Sequence, residues 1–595
     1  MCGICGELRL DGSPADRTAI ERMSERLARR GPDDGGIHQD GILGFGHRRL
    51  SVIDLSSRSH QPMVDDALDL AIVFNGAIYN YRELRRELQA LGYRFFSEGD
   101  TEVILKAYHA WGARCPERLQ GMFAFAIWDR RRRSLFLARD RFGIKPLYHA
   151  DTGKGFRFAS TTQALLATEG VDSSLDPVAL HFQFTLHAVV PAPRTIFSGV
   201  RKLPPAHSMT ITADGTRTLE RYWSLDATRP REILSAEQWV DLVHEALRTA
   251  VRKRYDVADV PVGVLLSGGL DSSLLVALLA EAGAGDIRTF SVGFEDQPEE
   301  KGSEFEYSDQ VAERYGTRHR KFLVPNAEVL KRLPEAVDNM SEPMFGQDAV
   351  AFYLLAEQVS QEIKVVQSGQ GADEVFGGYF WYPRMLEETS GTYLERFRRH
   401  YFDRDHPEFL RMVTPSYRGE DHTGAYVAER LAEPDADSFL DQVLRLDVTT
   451  LIVDDPVKRV DTMTMAFGLE ARVPFLDHDL VELAARCPPE LKLRDNGKYL
   501  LKAISRGLLP DSVIDRPKGY FPMPALKYVR GEFLQFMRDI LDSAACRERG
   551  VFDRAYIDML LAAPEMHHTR IQGSKLWHLA VFEYWLQRNL DPLPV

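Results

Sequence analysis

Cys2 stands directly behind the initiator methionine, in Met1-Cys2-Gly3-Ile4-Cys5-Gly6. Removal of Met1 is the expected processing before so small a residue. It would leave a thiol and a free α-amine on one residue. An α-amine titrates at about 7.7–8.0, so it can accept a proton near neutral pH. A nucleophile and a base on neighbouring atoms is the logic of N-terminal nucleophile catalysis. The bland alternative is an ordinary thiol near the chain start, and the rest of the sequence has to decide.

A second chemistry lies in Ser267-Gly268-Gly269-Leu270-Asp271-Ser272-Ser273. Two glycines let backbone approach a ligand closely, and a following helix aims its free N–H groups at an anion. Serine hydroxyls add donors. An acid inside an anion site makes sense when a metal bridges it to phosphate, which casts Asp271 as a metal ligand. No Gly-Lys-Ser/Thr follows, so this is not a Walker A loop. A matching loop, Ser368-Gly369-Gln370-Gly371-Ala372-Asp373-Glu374, follows a short strand. Asp373 reads either as a helix N-cap or as a partner of Asp271 on one Mg²⁺ at a pyrophosphate group.

These groups need a frame. At about 150 residues per domain, 595 residues make two to four domains. Residues 1–215 carry strand-like runs at Ile4–Leu10, Leu70–Phe74, Met122–Trp128 and Ser134–Ala138. Helical spacing separates them at Ala19–Ala28, Arg82–Leu91 and Thr101–Trp111, with Asp100 read as an N-cap. This grammar predicts a layered α+β domain. Residues 216–235 are polar and read as a linker. From 236 to 595 buried β-branched runs at Val260–Leu266, Thr289–Phe294 and Ile363–Gln367 alternate with helices. They predict a doubly wound α/β sheet with its site at the strand C-termini. The chain after about 385 reads as mostly helical.

Composition excludes several classes. A net charge of −13 argues against a general nucleic-acid binder. The one strong basic run, Arg130–Arg133, reads as a solvated hairpin tip. Five scattered cysteines make no disulfide framework, and Cys5 is a bystander to an accidental C-x-x-C. No apolar run reaches the roughly 18 residues of a membrane span. A cytoplasmic protein without nucleic-acid or membrane partners is expected.

The chain resembles the asparagine-synthetase family of glutamine-dependent amidotransferases over nearly its whole length. The first half is similar to the glutaminase domain, of αββα N-terminal nucleophile type. The match runs through Met1–Ile4, Arg30-Gly31-Pro32-Asp33, Gly46–Ser51, Phe74-Asn75-Gly76, Gly99–Glu102 and Arg139–Leu147. The second half is similar to the ATP-dependent, pyrophosphatase-loop synthetase domain in the two loops, Leu469–Asp477 and Arg516-Pro517-Lys518-Gly519. The resemblance implies that Cys2 attacks the glutamine amide while Asn75 and Gly76 form the oxyanion hole. Arg49 and Asp100 would hold the glutamine carboxylate and ammonium, with Leu50, Ser51, Val52, Ile53 and Ala77 around them. ATP would bind at Leu266, Ser267, Gly268, Gly269, Asp271, Ser272, Val292, Ser368 and Gly369. Asp271 and Asp373 would hold Mg²⁺. Lys518 would neutralise charge during adenylation of a carboxylate, releasing AMP and pyrophosphate. Ammonia would travel between the sites by an internal channel. A homodimer is compatible with the sequence, which does not fix the oligomeric state.

Departures from the family pattern bear on the acceptor. Gln370 stands where a Glu is usual, Ala77 follows Asn75-Gly76 in place of Glu, and Thr462 replaces an Arg in Asp461-Thr462-Met463-Thr464-Met465. Ser341-Glu342-Pro343 replaces Asp-Glu-Pro. These changes resemble the N-acetylglutaminylglutamine amidotransferase subgroup. They imply amidation of that dipeptide's C-terminal carboxylate, in osmoprotectant synthesis, with Gln370 and Asp373 at the acceptor. The alternative is asparagine synthetase proper, with aspartate as acceptor. A β-lactam-forming synthetase and an inactive binding protein both fit poorly with Cys2, Arg49, Asn75 and Asp100 together.

Overall fold

The computed structural model describes residues 2–296, 301–516 and 529–591. The first half stacks two six-stranded antiparallel sheets. One contains β1 (Gly3–Arg9), β2 (Asp34–Asp40), β3 (Leu43–Arg49), β8 (Tyr148–Thr152), β9 (Gly155–Ala159) and β10 (Val200–Lys202), in the order β10-β8-β9-β1-β3-β2. The other contains β4 (Met63–Asp65), β5 (Leu70–Ile78), β6 (Gly121–Asp129), β7 (Ser134–Arg139), β11 (His207–Thr212) and β12 (Arg217–Arg221), in the order β12-β11-β7-β6-β5-β4.

Period-two alternation explains the layering, because successive strand residues face opposite sides. Ala71 and Val73 of β5 join Ile4, Leu8 and Phe45 in the core between the sheets. Ile72 and Phe74 face the other way, into the cluster that holds Val103 and Ile104 of the helix Asp100–Trp111. The helix Arg17–Arg26 packs on β1 and β3 of the opposite sheet. The result is the expected αββα sandwich. Arg131–Arg133 lie exposed at the β6–β7 hairpin tip, and Arg130 pairs with Asp40 at 2.8 Å.

Two boundaries differ from the sequence reading. Arg217–Arg221 is an edge strand antiparallel to β11, so the sheet continues past 215 into the expected linker. Beyond it the chain is pinned rather than free. Tyr222 donates to the Arg139 carbonyl at 2.7 Å, and Trp223 Nε1 donates to Glu482 at 2.7 Å. Asp100 is not an N-cap. Gly99 takes that position, and the Asp100 carboxylate instead accepts from the Ile78 N–H at 3.0 Å.

The second half is built on a five-stranded parallel sheet of β13 (Val262–Leu265), β14 (Arg288–Phe294), β15 (Arg318–Val324), β16 (Val365–Gln367) and β17 (Glu470–Arg472). The order β15-β14-β13-β16-β17 reverses direction between β13 and β16. That is the switch point at which a doubly wound sheet opens a crevice at its strand ends. The helix Ala236–Asp256 begins with a capping box between Ser235 and Gln238. After residue 385 helices dominate, as expected, with β17 a strand that the sequence reading did not place. The halves share apolar packing: Phe184 meets Phe345 and Phe582 at ring distances of 5.3 and 5.0 Å.

Candidate active sites

Cys2 precedes β1 and is buried at the head of a cleft of about 370 Å³. Cys2, Arg49, Leu50, Val52, Ile53, Gly76 and Asp100 line it, seven residues expected there from the sequence. The Cys2 N–H donates to Asn75 Oδ1 at 3.0 Å. The Asn75 Nδ2 is buried without a hydrogen-bond partner, which suits a donor for a developing oxyanion. Gly76 is needed beside it: a Cβ there would lie 2.1 Å from the Met122 carbonyl oxygen and 2.8 Å from Phe123 Cα on β6.

Backbone carbonyls hold the Arg49 guanidinium at one end of the cleft, with Ser56 O at 3.2 Å and Asp54 O also bonded. Asp54 organises that corner, accepting from the hydroxyls of Ser56 and Ser59 at 2.6 Å and from the Glu98 N–H at 2.8 Å. Burial pushes the Asp100 carboxyl up to about 6, against the Ile78 N–H that favours its charge. Burial also raises the Cys2 thiol, while the Leu50 N–H and Arg49 oppose that rise. Arg49 and Asp100 thus place a cationic and an acidic side chain in the same cleft as Cys2.

Asn75, Ser51 and Ala77, also expected here, do not line the cleft, although Asn75 touches Cys2. The Ser51 N–H is committed to Asp33 Oδ2 at 2.7 Å, and Ala77 is packed in the core. Ser59, Gln61, Phe74, Thr101 and Glu470 line it without having been anticipated. Gln61 bridges the Phe74 N–H at 2.7 Å and the Thr101 hydroxyl at 3.2 Å. Glu470 comes from the other half of the chain, and no local pattern ties it to Cys2.

The second site lies at the C-terminal ends of β13 and β16. Ser267, Gly268 and Gly269 leave β13 and the helix Leu270–Glu281 starts at once. Ser267 and Ser272 close the loop through hydroxyls 3.1 Å apart. The Leu266 N–H is fixed by the Phe290 carbonyl at 2.8 Å, and Val292 lies further along β14. The Ser368 N–H donates to Arg472 O at 2.8 Å. A Cβ on Gly369 would stand 3.1 Å from Asp271 Cβ and 3.2 Å from the Ser272 N–H nitrogen, so the two loops touch. The two loops expected to bind the nucleotide are thus brought together, and Lys518, expected at the adenylation step, lies outside the described residues.

Asp271 and Asp373 also converge, but on a residue the sequence reading missed. Lys498 Nζ is 2.7 Å from Asp271 Oδ2 and 2.7 Å from Asp373 Oδ1. Asp373 is therefore not an N-cap; Gly371 holds that position. Lys498 sits at φ 55°, after Asp495 at 55°, Asn496 at 63° and Gly497 at 92°. Such a left-handed run is costly and marks a position the surroundings enforce. The available signal was Asn496-Gly497 before a lysine. Two carboxylates meeting at one point form an oxygen donor set that fits a hard divalent cation.

At the expected acceptor region Gln370 is half-buried in the second loop. Thr462 is buried in the helix Lys458–Met465. The nearest cation on that helix, Arg459 three residues earlier, is already paired. Arg459 Nε pairs with Asp348 at 3.0 Å, and the same guanidinium bonds Asp455. Glu342 is a buried partner of Lys202 at 3.1 Å, within the fold rather than in an open site.

Comparison with known proteins agrees with this two-site layout. A family model described as glutamine amidotransferase domain matches residues 1–223, and one described as asparagine synthase matches residues 242–587. Asparagine synthetase (glutamine-hydrolyzing) 1 of Bacillus subtilis strain 168 is 31% identical, over 99% of this chain and 97% of its own. A second B. subtilis enzyme, asparagine synthetase (glutamine-hydrolyzing) 3, is 32% identical over 94% and 93%. A putative asparagine synthetase (glutamine-hydrolyzing) of Mycobacterium bovis is 35% identical over 98% and 97%. With Cys2 in a cleft beside Arg49 and Asp100 and two glycine loops meeting at a carboxylate pair, the chain belongs to the asparagine synthetase family, the glutamine-dependent, ATP-using amidotransferase ligases.

Proposed function

We propose that Cys2 releases ammonia from the side-chain amide of glutamine and that the ammonia amidates a carboxylate adenylated at the parallel-sheet edge. The convergence of Cys2, Arg49, Gly76 and Asp100 on one cleft, with Asn75 bonded to the Cys2 N–H, carries this reading. Arg49 takes the glutamine carboxylate, Asp100 its ammonium, and Asn75 with the Gly76 N–H the oxyanion. Serine hydroxyls, loop amides and the start of the helix Leu270–Glu281 take the ATP phosphates. Asp271 and Asp373 would hold Mg²⁺, which would supply charge neutralisation on the phosphates. Lys498 holds the two carboxylates together there, and Lys518 is assigned to the adenylation step.

The relatives' names put aspartate first as the acceptor. A second reading, N-acetylglutaminylglutamine, is favoured by particular residues. Gln370 offers a carboxamide where a charged group is usual, and Arg459 is already neutralised by Asp348 and Asp455. A larger and less acidic acceptor suits that surface. The two readings separate by glutamine-dependent AMP release with each acceptor, and by mass analysis of the product. Asparagine formation supports the first reading, dipeptide amide the second. Absence of AMP with both, beside intact glutamine hydrolysis, rejects both. Among the described residues no helix is long and apolar enough to cross a membrane.

A further inference from the structure

Behind Cys2 lies a buried layer of charge to which both halves contribute. Arg30 Nε donates to the Cys2 carbonyl at 3.3 Å, and its NH2 group reaches Asp461 Oδ2 at 2.9 Å. Lys145 Nζ donates to Asp461 Oδ1 at 2.8 Å. Arg30 and Lys145 belong to the antiparallel half, and Asp461 to the helix Lys458–Met465 of the other. Nearby, Glu470 of β17 accepts from Arg472 Nε at 2.6 Å and lines the cleft with Cys2, Arg49 and Asp100. All five charged groups are buried.

Lys145 is aimed with care. The Asp140 carboxylate gathers the amides of Phe142, Ile144 and Lys145 at 3.1, 2.9 and 2.9 Å. Arg139 locks the same turn through the carbonyls of Gly143, Lys145 and Leu203, at 2.8, 2.8 and 2.9 Å. Buried ions are costly unless paired, and removing one partner leaves an uncompensated charge. Arg30 and Lys145 find Asp461 only when the halves are docked. The position of the Cys2 carbonyl is thereby tied to the synthetase half.

We propose that Asp461 and Glu470 are positioning residues of the glutaminase centre, supplied by the synthetase half. Asp461 holds Arg30 on the Cys2 carbonyl and so fixes the nucleophile. Glu470 completes the charged wall beside Asp100 and so fixes the substrate. This rests on the reading of the Cys2 cleft as the glutamine site.

The test uses the full chain with glutamine or ammonia as nitrogen source. Asp461→Asn should lower kcat for glutamine hydrolysis about tenfold with KM unchanged, and Asp461→Glu should restore part of it. Glu470→Gln should raise KM for glutamine about tenfold with kcat unchanged. Ammonia-supported AMP release should stay within about twofold of the unsubstituted protein in every variant, which also reports folding. Unchanged glutamine kinetics in either variant overturns the proposal. So does a parallel fall with both nitrogen sources, which would mark a general structural role. Failure of the underlying reading is distinct: the unsubstituted protein would then hydrolyse no glutamine at all.

Discussion

The Cys2 cleft and the parallel-sheet edge are built from opposite materials. In the cleft the chemistry stands on or beside antiparallel strands, and neighbouring backbone fixes it. Asn75 and Gly76 face Ala124 and Phe123 in register, and Arg49 ends β3. At the edge it stands on loops leaving parallel strands, where two carboxylates share the one ammonium of Lys498. Antiparallel pairing positions side chains by register. A parallel sheet positions loops by topology and leaves their final geometry to long-range charge pairing. The first arrangement suits a nucleophile that must not move. The second suits a site whose ions change partners as phosphate arrives and leaves.

Breaking one region without the other is the sharpest test of this contrast. Cys2→Ala removes the only thiol among the described residues of the cleft, so glutamine-dependent AMP release should fall to background while ammonia-dependent release persists. A parallel rate assay with the two nitrogen sources decides it. Lys498→Met should break the other region: AMP release from either source should fall by roughly 10²–10³, the usual cost of one lost charge-stabilising donor. Glutamine hydrolysis should survive in that variant. If it does not, the two regions are not separable.

The smallest effect concerns pH. Asp100 is raised to about 6, so in the free cleft it is ionised above that value and protonated below it. The glutamine ammonium needs the ionised form. Asp100 should add an acid limb to kcat/KM for glutamine, a further fall of about tenfold per unit below about pH 6 on top of the dependence set by the Cys2 amine at higher pH. Asp100→Asn should lower kcat/KM and remove that added limb. A limb retained in the variant would assign the titration to another group.

Much of the fold was legible because its signals are local. The strand-like runs Leu70–Phe74 and Met122–Trp128 among helical patterns gave a layered α+β domain, and buried runs followed by glycine loops gave the parallel sheet. The errors were also local. Asp100 was read as a cap because acids favour helix starts, yet a strand amide on β5 outcompeted the helix for its carboxylate. Arg217–Arg221 was read as linker because it is polar, yet an edge strand exposed throughout needs no apolar face. At the edge, Asp373 had two readings, and Gly371 in the cap position removes one of them.

The sequence by itself determined the family and marked the candidate residues of both sites, since each motif is written in a few adjacent residues of restricted type. Tertiary structure decided which charges meet. Lys498 and Asp271 are 227 residues apart, and Arg30 and Asp461 are 431 apart. Burial makes such pairings obligatory, because an ion removed from water must find its counter-ion wherever the fold brings one, and no local pattern records that distance.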